Sequence, residues 1–154
     1  MRAYDQTTFA DFMNRVWAGR NSFESILGLH VVEVGPDSVR SELAKSAFSW
    51  VAETGAWGGE ALDLAMSFTE MALAAYEAEP GETGMIRYAL GSRVTRYFRA
   101  SGSARVHLTA RVRYRGRARL VIESWAEDDA GRELLRADSE HLLRPQPFPF
   151  NAPS

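Results

Sequence analysis

The chain contains no cysteine, which removes disulfides, thiolate nucleophiles and cysteine-ligated metals from consideration. It also lacks any run of roughly 18 uncharged apolar residues, the length a membrane-spanning helix needs. The best candidate is interrupted by Asp63 and Glu70. The opening M-R-A-Y-D-Q-T-T-F has no apolar stretch of the kind a secretory signal carries. These absences predict a soluble, cytoplasmic protein. Histidine is limited to His30, His107 and His141, one on each of three predicted strands. No metal-ligand spacing links them, so no metal site is expected. Proline is sparse until the C-terminal R-P-Q-P-F-P-F-N-A-P-S, which holds four of the six prolines and cannot continue a sheet.

What is present is ordinary in amount and uneven in distribution. The 154 residues, 45% hydrophobic and 25% charged, suit one domain with a substantial core. The net charge of −2 conceals an asymmetry: residues 1–90 carry 6 basic and 13 acidic groups, residues 91–154 carry 12 and 7. Nine arginines and no acid lie between Arg93 and Arg119. Such a strip suits an anionic ligand, phosphates on a small molecule or a nucleic acid, and equally suits a solvated sheet face.

The stretch from Gly55 to Tyr76 organises the rest. Gly58 and Gly59 open a helix of about five turns rich in Ala, Leu, Met and Glu. Leu62, Ala65, Met66, Thr69, Ala72, Leu73 and Tyr76 recur at the spacing of one helical face, and Ala61, Leu64, Phe68, Met71 and Ala75 form a second apolar line. Only Glu60, Asp63, Ser67, Glu70 and Glu77 make a polar line. A helix this apolar belongs inside a domain.

Before it, Thr7 or Thr8 is expected to cap a first helix carrying Phe9, Phe12, Met13, Val16 and Trp17, ended by Gly19 and Asn21. Leu29–Val34 and Val39–Ser46 read as a hairpin, and Ala47–Ala56 as a loop. After the turn residues E-P-G-E-T-G come four strands, Ile86–Phe98, Arg105–Tyr114, Ala118–Glu127 and Glu133–Leu143. Domain organisation is then a helix over residues 1–22, a main domain over 23–144 and a Pro-rich, flexible tail over 145–154. One apolar helix followed by an antiparallel meander implies an α+β domain whose sheet wraps that helix.

This order resembles the hotdog fold, a long central helix wrapped by a curved antiparallel sheet of about six strands, here preceded by a short N-terminal helix. N-S-F-E-S-I-L-G-L-H-V-V-E-V-G-P-D, W-G-G at 57–59, Y-F-R-A-S-G-S-A at 97–104 and R-Y-R-G-R-A-R-L-V-I-E-S-W-A-E-D-D-A-G-R-E-L are similar to stretches of small acyl-CoA thioesterases of the phenylacetate-degradation type. The similarity runs from about Phe23 to Leu143. It implies a helix N-terminus whose backbone N–H polarises a thioester carbonyl and a carboxylate two turns on, lent by the other subunit, that attacks or activates water. The sequence departs from that pattern. Trp57 stands at the histidine position, Trp50 or Val51 at the loop amide, and Met66, beside Ser67, at the carboxylate.

The candidate catalytic groups are therefore Gly58 and Gly59 as carbonyl binders, or as close-packing glycines, with Asp63 as a displaced acid. Asp63 sits in an otherwise apolar helix, where an unpaired charge is costly, so it serves either chemistry or an ion pair with an arginine across the subunit interface. Glu60 is a further catalytic candidate, three residues from Asp63 on one helix face, so that the two could divide acid and base roles. It also lies in the first turn, where an acid suits the helix dipole whatever its function. Trp50, Trp57, Met66 and Ser67 are candidates to line an acyl or aromatic pocket, or are core. Arg99, Arg115 and Arg117 stand where the resembled enzymes hold coenzyme A phosphates. Two readings follow: hydrolysis of a small or aromatic acyl-CoA at a dimer interface, or binding of an acyl-CoA or related ligand without hydrolysis. Coenzyme A enters only as part of the substrate, and no other cofactor is expected. A nucleic-acid role is disfavoured, because only Tyr97 and Tyr114 interleave the arginines as stacking platforms. A homodimer, or a dimer of dimers, is expected, because one such sheet leaves edges unpaired.

Overall fold

The computed structural model describes residues 5–19, 22–78 and 89–142. The Pro-rich tail and the turn segment before the third long strand lie outside the described residues. Among those described, no helix is long and apolar enough to cross a membrane.

The first helix, α1 (Gln6–Trp17), buries Phe9, Met13 and Trp17. Its cap is Asp5 and not a threonine: the Asp5 carboxylate accepts the N–H of Thr8 at 2.8 Å, and an aspartate at this position satisfies an orphan donor while complementing the dipole. A one-turn helix, α2 (Phe23–Leu27), follows, capped by Ser22 and ended by Gly28 at φ 80°. It is too short to show a period in the sequence. The strands β1 (Leu29–Val34) and β2 (Ser38–Ala44) form the expected hairpin.

The predicted loop after it contains a second, two-stranded sheet, β3 (Trp50–Val51) and β4 (Ala56–Trp57). The pair closes around Gly55, whose φ of 62° is one that glycine adopts without steric cost. Trp50 and Trp57 face each other across it, edge to face at 5.8 Å. The long helix α3 (Gly59–Glu77) comes next, then β5 (Ala89–Tyr97), β6 (Arg105–Arg115), β7 (Arg119–Asp128) and β8 (Glu133–Leu142).

Six strands make one antiparallel sheet in the order β1-β2-β6-β7-β8-β5. Alternate residues, among them Val39, Leu43, Leu108, Ile122, Ala126 and Leu135, turn to the inner face, where Leu62, Met66 and Leu73 of α3 pack on them. Beyond Glu60, which is exposed, the helix does not expose its polar line. Glu70 is fully buried, whereas Leu64 on the second apolar line is 41% exposed. Asp63 and Glu70 of the polar line face β5, where they meet Arg93 and Thr95, and part of the apolar line faces outward.

The two sheet edges differ. Along β1 lies α1, and the Asn14 side chain both donates to the Val31 carbonyl (2.8 Å) and accepts its N–H (2.7 Å). A primary amide used this way imitates a neighbouring strand and closes the edge. Among the described residues nothing equivalent borders the free side of β5, where Leu90 and Val94 are more than half exposed.

Candidate functional site

The N-terminus of α3 carries no side-chain cap. Gly58 precedes the first turn in an extended conformation, and its own N–H is taken by the Ser49 carbonyl at 3.0 Å. Its carbonyl accepts the N–H of Leu62. The N–H groups of Gly59, Glu60 and Ala61 therefore form the open end of the helix, where partial positive charge collects. Of the two candidate glycines, Gly58 sets the approach of the chain and Gly59 offers the donor.

Gly59 has a local reason to be glycine. The Tyr97 ring lies over it, and a Cβ built there would stand 3.3 Å from Tyr97 Cε1. Tyr97 ends β5, and the inward-turned residues of that strand, Arg93, Thr95 and Tyr97, run along α3 from Glu70 through Asp63 to Gly59. Period two on a strand and positions i, i+4 and i+11 on a helix thus bring two lines of side chains into register.

Asp63 lies at the centre of this line. Its Oδ1 receives Arg93 Nη1 in a short ion pair and the Thr95 hydroxyl at 2.9 Å. The Tyr97 hydroxyl also interacts with this carboxylate, and the side chain is 29% exposed. Arg93 also grips Glu70, with Nε 3.0 Å and 3.2 Å from its two oxygens. Burial opposes the Arg93 charge, but Glu70 and then Asp63 outweigh it and hold the guanidinium above its ordinary range. Glu70 in turn accepts the Ser124 hydroxyl and lies 4.0 Å from His141 Nε2. That nitrogen is 3.0 Å from the Ser139 hydroxyl, and burial lowers the His141 pKa. The Tyr97 hydroxyl is shifted upward, first by burial and then by Asp63. A phenol shifted that way stays protonated, and so remains a donor, throughout the neutral range.

The other candidates divide. Trp57 is 4% exposed. Its indole N–H donates to the Ser103 carbonyl at 3.0 Å and its backbone N–H to the Ser101 carbonyl at 3.1 Å. It ties the start of α3 to the loop after β5. Trp50 packs beside it, with the Lys45 ammonium 3.5 Å from its ring centre. Met66 is fully buried in the core, and Ser67 next to it is half-buried. Arg99 lies on the same loop as Ser101, at the Gly59 end of α3. Arg115 and Arg117 lie at the opposite end, about 28 Å away along a helix of 19 residues. Arg115 is bound there to Glu77 (2.6 Å) and Asp37 (2.9 Å). One chain does not bring all three arginines to one ligand.

The arginine strip is less free than its sequence implies. Arg93, Arg105, Arg111, Arg113, Arg115 and Arg119 each pair with an acid. Glu123, only 5% exposed, holds Arg111 and Arg113 on the outer face of the sheet. The meander sets β6 beside the acids of β2 and β7, a pairing that distance along the chain conceals. Among the described residues Arg96, Arg99 and Arg117 remain without an ion pair.

No protein-family model and no curated protein sequence matches the chain. Solved structures do. A variant thioesterase of Pseudomonas aeruginosa aligns with a TM-score of 0.76 over 94% of this chain and 97% of its own, at 18% identity. A thioesterase of Haemophilus influenzae gives 0.75 over 86% and 88%, at 15%. The PaaI protein from the phenylacetic acid degradation operon of E. coli gives 0.70 over 87% and 93%, at 10%. The chain has the hotdog fold. At such identities the likeness establishes the architecture, and activity has to be argued from the site.

The residues that sequence reasoning missed are Thr95 and Tyr97. Arg93 was counted only as one of a strip. Their alternation on one strand, opposite an acid-bearing helix line, was the signal that could have found them.

Proposed function

We propose that the chain hydrolyses a small or aromatic acyl-CoA thioester at the N-terminus of α3, in a homodimer joined along β5. The observation that supports this is a pairing one helical turn apart. Uncapped N–H groups begin the helix at Gly59, and Asp63 follows, partly exposed, with its Oδ1 anchored by Arg93 and Thr95. Oδ2 takes a proton from water, and the water oxygen bonds to the thioester carbonyl carbon. The charge that develops on the carbonyl oxygen is met by the N–H groups and the helix dipole. The C–S bond then breaks, and the departing thiolate takes the proton back from Asp63, leaving a carboxylic acid and free thiol. Arg93 and Thr95 fix the carboxylate's orientation, the kind of positioning on which proton transfer depends. Arg99 is placed for a phosphate, and Arg117 could serve the same ligand only from a second copy.

Binding without hydrolysis is the second reading. It is favoured by the burial of Met66 and by the fixing of Trp57, which leave no conventional acid or base at either position. The deciding experiment follows thiol release from a panel of acyl-CoA thioesters, with binding measured on the same preparation. Asp63→Asn is expected to lower turnover by about a hundredfold or more, the scale of a lost acid–base group, with affinity largely kept. A full rate in that variant removes Asp63 from the mechanism. Binding with no turnover in the wild type establishes the second reading.

A further inference from the structure

We propose that Tyr97 is a second donor to the substrate carbonyl, taking the place of a side-chain donor that neither Trp50 nor Trp57 supplies. This rests on the helix N-terminus of α3 as the carbonyl site but does not require hydrolysis there. The Tyr97 ring covers Gly59, the residue that offers the first open N–H, with Cε1 and Cδ1 at 3.3 and 3.6 Å from where a Cβ would be. An alanine at 59 would press on this ring, so the glycine and the tyrosine fit as a pair. The hydroxyl is acted on by Asp63 through its charge and a hydrogen bond, and more weakly by Arg93 and Glu60, so a bound carbonyl would take over a donor that the acid now holds. Burial and the Asp63 carboxylate keep it protonated at neutral pH. The side chain is 57% exposed, so a ligand can reach it. Trp57 cannot substitute, because its only side-chain donor is committed to Ser103.

In the step itself no bond to Tyr97 forms or breaks. Its O–H donates a hydrogen bond to the carbonyl oxygen beside the Gly59 N–H, and that bond strengthens as negative charge develops on the oxygen. Arg93 and Thr95, four and two residues earlier on the same strand, hold the acid. One strand thus presents both the orientation of the base and a donor to the oxyanion.

Tyr97→Phe tests this, because it keeps the ring over Gly59 and removes only the hydroxyl. Turnover of an acyl-CoA thioester is expected to fall about a hundredfold or more, the cost of one lost oxyanion donor, with KM little changed and the melting temperature unaltered. Alongside, binding is measured for an acyl-CoA thioester and for the matching thioether, which lacks the carbonyl. The wild type should prefer the thioester, and Tyr97→Phe should erase most of that preference while leaving thioether affinity as it was. If the wild type binds both analogues and hydrolyses neither, the preference alone decides: hydrolysis is then rejected, and the donor role of Tyr97 stands or falls separately. An unchanged rate, or in a non-hydrolysing protein an unchanged thioester preference, overturns the assignment.

Discussion

Glu70→Gln should be among the most damaging single substitutions in this chain, although it changes one oxygen to a nitrogen. Glu70 has a side-chain exposure of 1% and Arg93 one of 11%, so their charges are screened mainly by each other. Glutamine at 70 keeps the volume but withdraws the charge that neutralises the buried end of the guanidinium, and it turns an acceptor toward a donor. Removing one partner of a buried pair costs about 3–5 kcal/mol. Asp63 still holds Arg93 Nη1, which puts the expectation near the lower bound, about 3 kcal/mol. With a urea slope near 2 kcal/mol/M for a domain of this size, the unfolding midpoint should drop by about 1.5 M. The measurement is equilibrium urea unfolding followed by circular dichroism at one fixed protein concentration, because a dimer's apparent stability depends on it. Asp63→Asn is the internal comparison. That carboxylate is partly solvated, and Arg93 keeps Glu70, so the loss should stay below about 1 kcal/mol. A midpoint shift under about 0.3 M for Glu70→Gln, or equal losses for the two variants, would refute the view that Glu70 is the structural anchor and Asp63 the available acid.

Asp128 supplies a pH test. Burial works against its charge, but the backbone and guanidinium of Arg132, the Ser101 hydroxyl and the Ala130 N–H bring its pKa down to about 2 from 3.8. A depressed carboxylate stabilises the fold above its unfolded pKa and loses that contribution as the pH falls through the folded one. Thermal stability should therefore decline as pH drops from near 4 to near 2, and Asp128→Asn should flatten that decline. Assembly along β5 gives the other prediction: Val94→Glu, at a position 61% exposed on the free-edged strand, should yield monomers by light scattering where the wild type yields dimers. A wild type that is monomeric at micromolar concentration, or a variant that remains dimeric, would remove β5 as the joint.

The sequence made the long elements legible because they repeat. β1 falls at Leu29–Val34 as its alternation implies, and α3 runs one residue beyond the expected Tyr76. Short elements were not legible. α2 has one turn, and the β3–β4 pair has two residues a side, lengths at which no period can be counted. Its two tryptophans read as loop residues because what makes them strand is their contact with each other. Charges were the least legible. Arg93 and Glu70 are 23 residues apart in the chain and Ser124 and Glu70 are 54; composition gives their numbers but not their partners. Hence a strip that suited an anionic ligand or a solvated sheet face alike is mostly neutralised within the molecule. The glycine pair could be read in advance, because a helix without a cap announces itself locally. The tyrosine over it could not, since it arrives from a strand about forty residues later.

The position of the acid alters what a second copy would be needed for. In the resembled enzymes the carboxylate lies two turns into the helix and comes from the other subunit, so neither copy has a complete site. Here the corresponding residue is Met66, fully buried among core side chains. The proposed acid is Asp63, four residues after Gly59, which places it on the same helix face and in the same chain as its anchors Arg93 and Thr95. Tyr97, on the strand that holds them, completes the set without leaving the chain. On the proposed reading each copy carries its own proton acceptor and its own carbonyl donors. A partner along β5 would then supply what one chain lacks: cover for Leu64 and Val94, exposed by 41% and 61%, and Arg117, which lies at the far end of α3 from the acid. On that reading, an acid one turn nearer the helix N-terminus would leave each copy its own chemistry and the two copies only ligand binding to share.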